Sequence, residues 1–334
     1  MSPAMRADRR SGRRSERSDA LSGAGHAVVT GGGGGLGREI AVRLAHAGYA
    51  VHVVDLDGEL ASATAAEITA TGPVIPARGH ALDVRDQGAC RALAQSIHGT
   101  GTGTGPAGAP TGTGAADDEA DADGLALWVN NAGVLAAGPF WEQSDDQRRL
   151  MLEVNALGTM HGTVAALEVM RPAGRGQVVN IASLAGLVSV PGEAVYAASK
   201  HAVLGFSTSA LTDLRLAGVK HVHISCICPD GMWTPMLFDK LQDPGASMSF
   251  SGKLLRPEEI ADVVLAVVAR PRPVTSVPAL RGVQARVFDL MPGLTVRLAP
   301  LVVRLSRVQQ KMIARRLRRE GSADGGPAPR DRRR

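Results

Sequence analysis

SLAGLVSVPGEAVYAASK, residues 183–200, joins a serine at the end of an apolar run to a tyrosine and a lysine in a segment of helical character. The four-residue spacing of Tyr196 and Lys200 places both on one helical face. A phenol titrates near 10, and an opposite charge about 4–6 Å away moves a pKa by ~1–3 units, so we expect the lysine to lower the pKa of Tyr196. The pair is a candidate for general acid–base chemistry, although the same spacing is common in ordinary surface pairs.

Strand and helix patterns alternate on both sides of this stretch. HAVVT at 26–30 leads into glycines 31–37, then the helical REIAVRLAHAG, then a second strand, YAVHVVDLD. Further strands are predicted in LALWVN, VVNIAS, HVHISCICP and VTSVP, with helices at 58–71, 87–98, 144–170, 193–216 and 257–269. This order predicts an α/β fold with a single doubly wound parallel sheet, a Rossmann-like three-layer αβα architecture.

Polar or turn residues close the predicted strands. They are Thr30, Asp55, Asp83, Asn130, Ser183 and Pro229. Parallel strands end at one rim of the sheet, and ligands of such sheets bind there. We therefore expect these residues, distant in sequence, to form one site.

Composition shifts divide the chain. Residues 1–20 read as a disordered basic arm and 21–278 as the Rossmann-fold domain. Within that domain, 99–124 is Gly/Thr-rich and then acidic, typical of a disordered loop insertion, and 230–253 has the mixed composition of a substrate lid. Residues 279–334 are predicted to be a basic amphipathic C-terminal extension with a disordered end.

Charge and cysteine content limit the function classes. The net charge of +5 lies at the two ends, which carry no aromatics for base stacking, so no nucleic-acid partner is expected. Three cysteines without metal spacing predict free thiols and no metal site. No secretory apolar region or long apolar span is present, which favours a cytoplasmic protein. The Arg/apolar pattern of 279–319 leaves open three roles: peripheral contact with a membrane, a cap on the fold, and binding of a partner.

The glycine turn predicts a dinucleotide site. Between a strand and a helix, such glycines let backbone amides approach a pyrophosphate. The candidate residues of the turn are Thr30, Gly31, Gly35, Leu36 and Gly37. Asp55 at the end of the second strand can accept hydrogen bonds from a ribose and would repel a 2′-phosphate, so NAD is expected rather than NADP. Arg38 in the first helical turn keeps NADP open as an alternative.

Several motifs together resemble the short-chain dehydrogenase/reductase family. They are TGxxxGxG at 30–37, NNAG at 130–133, Asn155 in EVNALG, and Ser183 thirteen residues before Tyr196-x-x-x-Lys200. The resemblance covers about residues 22–278. It implies an NAD(P)-dependent oxidoreductase that forms a homo-oligomer through the helices holding Asn155 and Tyr196.

The resemblance also assigns roles to single residues. Tyr196 would exchange a proton with the substrate oxygen and Ser183 would hydrogen-bond that oxygen. Lys200 would hold the nicotinamide ribose, and Asn155 would support a water-linked proton relay to this lysine. The remaining cofactor-binding residues it implies are Asp83 and Val84 at the adenine, Asn131, Ala132 and Gly133 beside the cofactor, and Pro229 and Thr234 near the carboxamide.

Two positions bear on these assignments. The family's Pro-Gly after the sixth strand is Pro229-Asp230-Gly231 here, with Thr234 still five residues beyond the proline. Where members that prefer NADP often carry a basic residue, this chain has Gly34 and Leu56, which supports NAD.

Apolar residues surround the predicted nicotinamide position. They are Leu135, Phe140, Trp141, Leu187, Val188, Val190, Met232, Trp233, Met236, Leu237 and Phe238. Such a lining favours an apolar alcohol or carbonyl compound as the substrate. The predicted activity is hydride transfer between NAD and a lipophilic secondary alcohol or ketone. The alternatives are an NAD-binding regulator or scaffold, and an epimerase or dehydratase on the same fold.

Overall fold

The structure, a computed structural model, describes residues 25–73, 75–99 and 124–323, with side chains up to residue 317. The predicted arm 1–20, residues 100–123 of the predicted insertion and residues 324–334 lie outside this range.

Seven strands form one parallel sheet. They are β1 His26–Thr30, β2 Ala50–Asp55, β3 Arg78–Ala81, β4 Leu125–Asn130, β5 Gly176–Ile181, β6 Val222–Pro229 and β7 Val274–Val277. Their order is β3-β2-β1-β4-β5-β6-β7, with every neighbouring pair parallel. The order reverses beside β1, so the crevice at the ends of β1 and β4 is where this architecture binds ligands. The predicted doubly wound parallel sheet is confirmed.

Helices cover both faces of the sheet. They are α1 Gly35–His46, α2 Gly58–Ala70, α3 Gln87–Gly99, α4 Asp145–Leu152, α5 Gly158–Met170, α6 Ala194–Leu216, α7 Pro235–Phe238, α8 Pro257–Ala269, α9 Ala279–Asp289 and α10 Pro292–Ala323. Ile40 of α1 and Ile260 of α8 belong to one buried cluster, whereas Ala94 of α3, Ala165 of α5 and Leu214 of α6 belong to another. The five central strands β2, β1, β4, β5 and β6 are buried between these clusters, which explains their largely apolar sequences, whereas the edge strands β3 and β7 are less buried.

The helix predicted at 144–170 is not one regular helix. It begins with a capping box of Ser144 and Gln147, but residues Glu153–Leu157 form a π-helical turn between α4 and α5. The side chain of Asn155 in this turn donates to the carbonyl oxygen of Val134 at 2.9 Å and accepts from its N–H at 2.8 Å. The π-helical turn thus lies where Asn155 is hydrogen-bonded to the segment that follows β4.

The C-terminal extension folds back onto the domain. Pro292 occupies the start of α10, after the end of α9 at Asp289, and Pro300 lies inside α10. α10 packs against the 3₁₀ helix Pro244–Phe250, where Gln310 donates to the carbonyl oxygens of Lys240 at 3.2 Å and Asp243 at 2.9 Å.

Three histidines form a ladder across neighbouring strands. Nδ1 of His26 lies 2.9 Å from Nε2 of His52, whose Nδ1 lies 2.9 Å from Nε2 of His80. Burial, and then the nearby His80, His26 and Arg78, lower the pKa of His52 to about 3. When one of these rings is protonated, both of its nitrogens become donors, so it can no longer accept a hydrogen bond from its neighbour in the ladder.

We expect His52→Val to reduce the acid sensitivity of the fold. An unfolded histidine binds a proton below about pH 6.5. Folded His52 binds a proton only near pH 3. The free energy of unfolding therefore decreases as the pH falls from about 6.5 to about 3, because the unfolded state binds the proton first. Thermal unfolding from pH 7 to 5 would show a smaller decrease of Tm in the variant. Equal decreases in both proteins would contradict the prediction, and His46→Gln at the end of α1 is the control.

Candidate active site

The glycine turn after β1 is closely packed. Gly31 and Gly35 have φ values of +62° and +52°, which favour glycine. A Cβ on Gly31 would lie 2.9 Å from Cα of Ala132, and one on Gly37 would lie 2.0 Å from the carbonyl oxygen of Gly31. The turn therefore has no space for side chains on its inner side, while its backbone N–H groups lie at the start of α1. These features fit a bound pyrophosphate.

Thr30 and Asn131 join this turn to the end of β4. Thr30 Oγ1 accepts the N–H groups of Asn131 at 3.0 Å and Ala132 at 3.1 Å. Asn131 Nδ2 donates to the carbonyl oxygens of Thr30 at 3.0 Å and Gly31 at 3.2 Å. These two side chains hold the two strand ends together, so their part in a cofactor site is to position the backbone.

Asp55 faces the same turn from the end of β2. Its Oδ2 accepts the N–H of Gly33 at 2.9 Å. The following Leu56 is largely exposed and offers no cation. The guanidinium of Arg38 is paired with Glu39 and Glu67, whose carboxylates occupy it. The surroundings of Asp55 thus favour neutral ribose hydroxyls over a phosphate.

Asp83 and Val84 lie beyond β3 with partners of their own. The Arg85 guanidinium hydrogen-bonds the Asp83 carboxylate, with 2.6 Å between Nη2 and Oδ2, and lowers its pKa. The carbonyl oxygen of Val84 lies 3.1 Å from Nδ1 of His161. A Cβ on Gly158 would come within 2.7 Å of the Val84 side chain, so the absence of a side chain there makes room for α5 beside this segment.

Asn155 and Lys200 meet behind Gly133. Besides its bonds to Val134, Asn155 Nδ2 donates to Ser199 Oγ at 3.0 Å, and it is fully buried. A Cβ on Gly133 would lie 3.2 Å from Asn155 Oδ1 and 3.6 Å from Lys200 Nζ. Gly133 therefore leaves room for both polar groups directly under the chain that follows β4.

The pKa of Tyr196 is shifted upward, opposite in direction to the shift expected from Lys200. Lys200 Nζ donates to the Ile181 carbonyl oxygen at 3.0 Å and lies 5.7 Å from the centre of the Tyr196 ring. Burial raises the pKa of Tyr196, the charge of Glu193 raises it further, and a hydrogen bond with Ser183 acts in the opposite direction. Burial also lowers the pKa of Lys200 to about 8. Desolvation, which sequence spacing does not report, outweighs the charge of the lysine.

Glu193 is a buried acid that sequence reasoning missed. It precedes α6, is 1% exposed, and its Oε1 accepts a hydrogen bond from Ser249 Oγ at 2.6 Å. Burial raises its pKa to about 7. Gly192 makes this contact possible, because a Cβ there would lie 2.1 Å from the Gly245 carbonyl oxygen. No pattern in the sequence indicated this burial, since an acid just before a helix is usually an exposed end residue.

A cavity of about 480 Å³ opens beside the Ser183 and Tyr196 hydroxyls. Six of the apolar residues predicted for it line it: Leu135, Val188, Val190, Met232, Met236 and Leu237. Five do not: Phe140, Trp141, Leu187, Trp233 and Phe238. Trp141 and Phe140 are exposed and contact each other, and Leu187 lies in the core. Trp233 and Phe238 form a separate ring contact.

The C-terminal extension supplies one wall of this cavity, which sequence reasoning did not predict. Phe288 of α9 and Leu298, Val302 and Leu305 of α10 line it. The amphipathic pattern of 279–319 was the available signal, but it did not tell which surface the helices would cover.

Thr234 links the cavity to the glycine turn. It lines the cavity together with Pro229, and its Cγ2 lies 3.7 Å from where a Cβ on Gly35 would stand. Thr234 therefore brings one wall of the cavity next to the glycine turn. Among the described residues, no group of three or more His, Cys, Asp or Glu could hold a metal ion.

A dinucleotide cradle beside a serine, a tyrosine and an apolar cavity defines an oxidoreductase of the Rossmann type. The comparisons with known proteins agree. The short chain dehydrogenase family model matches residues 25–102 and 114–244. The chain belongs to this family, which confirms the predicted class of an NAD(P)-dependent oxidoreductase.

Relatives and solved structures support the assignment. Cyclopentanol dehydrogenase of Comamonas sp. (strain NCIMB 9872) is 31% identical over 72% of this chain and 88% of the relative. For 1-deoxy-11-beta-hydroxypentalenate dehydrogenase of Streptomyces exfoliatus the identity is 33%, over 71% and 77%. A short-chain dehydrogenase/reductase from Burkholderia phymatum in complex with NAD is 26% identical, with a TM-score of 0.66 over 82% of this chain and 96% of that one.

We expect Glu193→Gln to stabilise the protein at alkaline pH. The unfolded carboxyl ionises near pH 4.5, whereas the folded one keeps its proton to about pH 7. The folded state therefore loses stability relative to the unfolded state as the pH rises between these values. Thermal unfolding at pH 8 should give a Tm about 2–4 °C or more above that of the unchanged protein, with little difference at pH 4. An equal change at both pH values would refute this, and Glu142→Gln on the surface is the control.

Proposed function

We propose that the chain transfers hydride between NAD and a lipophilic cyclic secondary alcohol or ketone. One observation carries the proposal: Ser183 and Tyr196 line a largely apolar cavity, and Thr234, which lines it too, lies next to Gly35 of the glycine turn. The nicotinamide cofactor would supply the hydride in reduction and take it up in oxidation.

Tyr196 is the proposed proton donor to the substrate oxygen. A phenol titrates near 10, so Tyr196 is protonated at neutral pH and can donate its proton to a ketone. In reduction the Tyr196 Oη proton passes to the carbonyl oxygen while the hydride forms the new C–H bond. Ser183 would hydrogen-bond the same oxygen, and alcohol oxidation reverses each step.

Lys200 and Asn155 are proposed to support the site from behind. Lys200 would hold the nicotinamide ribose, with its ammonium fixed by the Ile181 carbonyl oxygen. The Asn155 side chain is hydrogen-bonded to Val134 and Ser199. In the proposed water-linked relay to Lys200, the backbone of Asn155 would therefore contact the water. The proposed cofactor contacts of Asp83, Val84, Gly133 and Pro229 remain predictions.

The substrate class rests on the cavity and on the relatives. The names of two relatives refer to cyclopentanol and levodione, which suggests cyclic alcohols and ketones for this chain as well. The cavity lining is mainly apolar, although it includes the charged Asp230 and Arg281 as well as Glu193, and a mainly apolar lining suits a lipophilic ring. Cyclopentanone and larger cyclic ketones are therefore the first compounds to assay.

Two alternatives give different results in that assay. An NAD-binding regulator or scaffold would bind NADH but turn over no ketone. An epimerase or dehydratase would change its substrate without net accumulation of NADH.

A homo-oligomer through α5 and α6 is also proposed, since Leu150, Leu152 and Leu157 are exposed beside these helices. A single-subunit mass in sedimentation velocity would contradict the oligomer.

We expect Tyr196→Phe to lower kcat for cyclic ketone reduction by about 10²–10⁴-fold, because the proton donor is lost. NADH binding, followed by fluorescence, should change little. Tyr49→Phe is the matched control, since Tyr49 is the other tyrosine of the chain and is buried in the core. Undiminished turnover in Tyr196→Phe would remove the mechanism.

Exchanging Asp55 and its neighbour should shift the cofactor preference. In Asp55→Ser with Leu56→Arg, a repelling carboxylate is lost and a guanidinium is gained near the expected 2′-phosphate. A hydrogen bond to a charged group contributes about 1.5–3 kcal/mol, so the ratio of kcat/KM for NADP to that for NAD should rise about 10–100-fold. Glu59→Gln on α2 is the control. A ratio unchanged by the double substitution would show that Asp55 does not select the cofactor.

A further inference from the structure

Helix α10 exposes a regular row of apolar side chains. This leucine row consists of Leu294, Leu298, Leu301, Leu305, Val308 and Met312, each between 37% and 62% exposed. The spacing alternates between four and three residues, which keeps the row on one side of the helix. Eighteen residues at about 1.5 Å per residue make the row about 27 Å long.

The side of α10 that faces the protein combines polar residues with the apolar Ile313 and Ala314. Ser306 and Gln310 are buried, and Gln309 Nε2 donates to the Gly252 carbonyl oxygen at 3.0 Å. Gln310 contacts the carbonyl oxygens of Lys240 and Asp243. These bonds fix the rotation of the helix, so the leucine row faces outward. An amphipathic helix on a protein surface usually has the reverse arrangement.

A second row, of basic residues, runs beside the first. This basic row consists of Arg297, Arg304, Arg307, Lys311 and Arg315, all exposed. Within the described part of the chain, no carboxylate forms an ion pair with them. The acidic residue between positions 279 and 317 is Asp289. A partner for this side of α10 must therefore accept both apolar and cationic groups.

The leucine row also borders the opening of the cavity. Leu298, Val302 and Leu305 line the cavity and are at the same time 37%, 37% and 62% exposed. Phe288 of α9 does so as well, at 42% exposure. Side chains that are both exposed and cavity-lining mark its mouth, so the path to Tyr196 begins between α9 and α10.

We infer that the outer side of α10 lies on an anionic lipid bilayer, with the leucine row in the interface, the basic row at the lipid phosphates and the cavity mouth facing the lipid. Amphipathic helices with this combination bind in the plane of the interface. No described helix is long and apolar enough to cross a membrane. The inference deepens the proposed function, on which it rests only for the lipophilic substrate that would enter from the bilayer.

A second copy of the chain fits the same surface less well. The 4-3 spacing could form a helix pair, but two copies would bring their basic rows together without acidic partners. They would also cover the cavity mouth with protein. An anionic bilayer neutralises the charges and leaves the mouth open to a lipophilic molecule.

Vesicle flotation tests the inference with the full chain. The unchanged protein should float with vesicles of phosphatidylcholine and phosphatidylserine, less with phosphatidylcholine alone, and less at high salt. Leu301→Gln, Val308→Gln and Met312→Gln combined should weaken flotation at least about tenfold, because three apolar side chains leave the interface. These residues do not line the cavity. Arg304→Gln, Arg307→Gln and Lys311→Gln combined should remove the preference for phosphatidylserine.

Leu216→Gln on α6 is the control, since Leu216 is 82% exposed and far along the chain from α10. It should float as the unchanged protein does. Failure of the unchanged protein to float, or equal flotation of the leucine-row variant, overturns the inference. So does a dimer in sedimentation equilibrium that the leucine-row variant dissociates, since the row would then be a subunit interface. Reduction of a water-soluble cyclic ketone, measured without vesicles, tests the proposed function separately.

Discussion

The hydrogen bond between Asn130 and Asn180, 2.8 Å long and fully buried, is the interaction on which the site depends. These residues are paired in register at the ends of β4 and β5. Asn130 also contacts Thr163 of α5, and Asn180 donates to Ser207 of α6 at 2.9 Å. Because a buried amide is costly when unpaired, this network fixes both helices against the sheet. The two helices continue to Asn155 on one side and to Tyr196 and Lys200 on the other.

Burial then sets the electrostatics of the site. The amine of Lys200, the carboxyl of Glu193 and the phenol of Tyr196 are each shifted toward their neutral forms by desolvation. Much of this burial comes from segments late in the chain, since Ser249 contacts Glu193 and α10 packs on the 3₁₀ helix that holds Ser249. The C-terminal extension is thus part of the site, because its helices also form one wall of the cavity.

Local signals predicted local structure where neighbours in sequence are also neighbours in space. The glycine turn and the Tyr196 and Lys200 spacing are of this kind, because a turn or one helical face brings the residues together. The cavity lining was predicted only in part. Position along the chain brought Trp141 near the rim, but its side chain points to solvent and contacts Phe140 instead. Side-chain direction in loops follows from packing that a sequence pattern does not contain.

The sequence by itself determined the alternation of strands and helices, and with it the parallel sheet and the rim at which its polar ends meet, because periodicity and glycine placement act over a few residues. The tertiary structure alone decided that Glu193 is buried, that α4 and α5 are separated by a π-helical turn, and that α9 and α10 close the cavity. Each of these depends on contacts between segments far apart in the chain. Burial, which changes a pKa more than a nearby charge does here, exists only once those segments have packed.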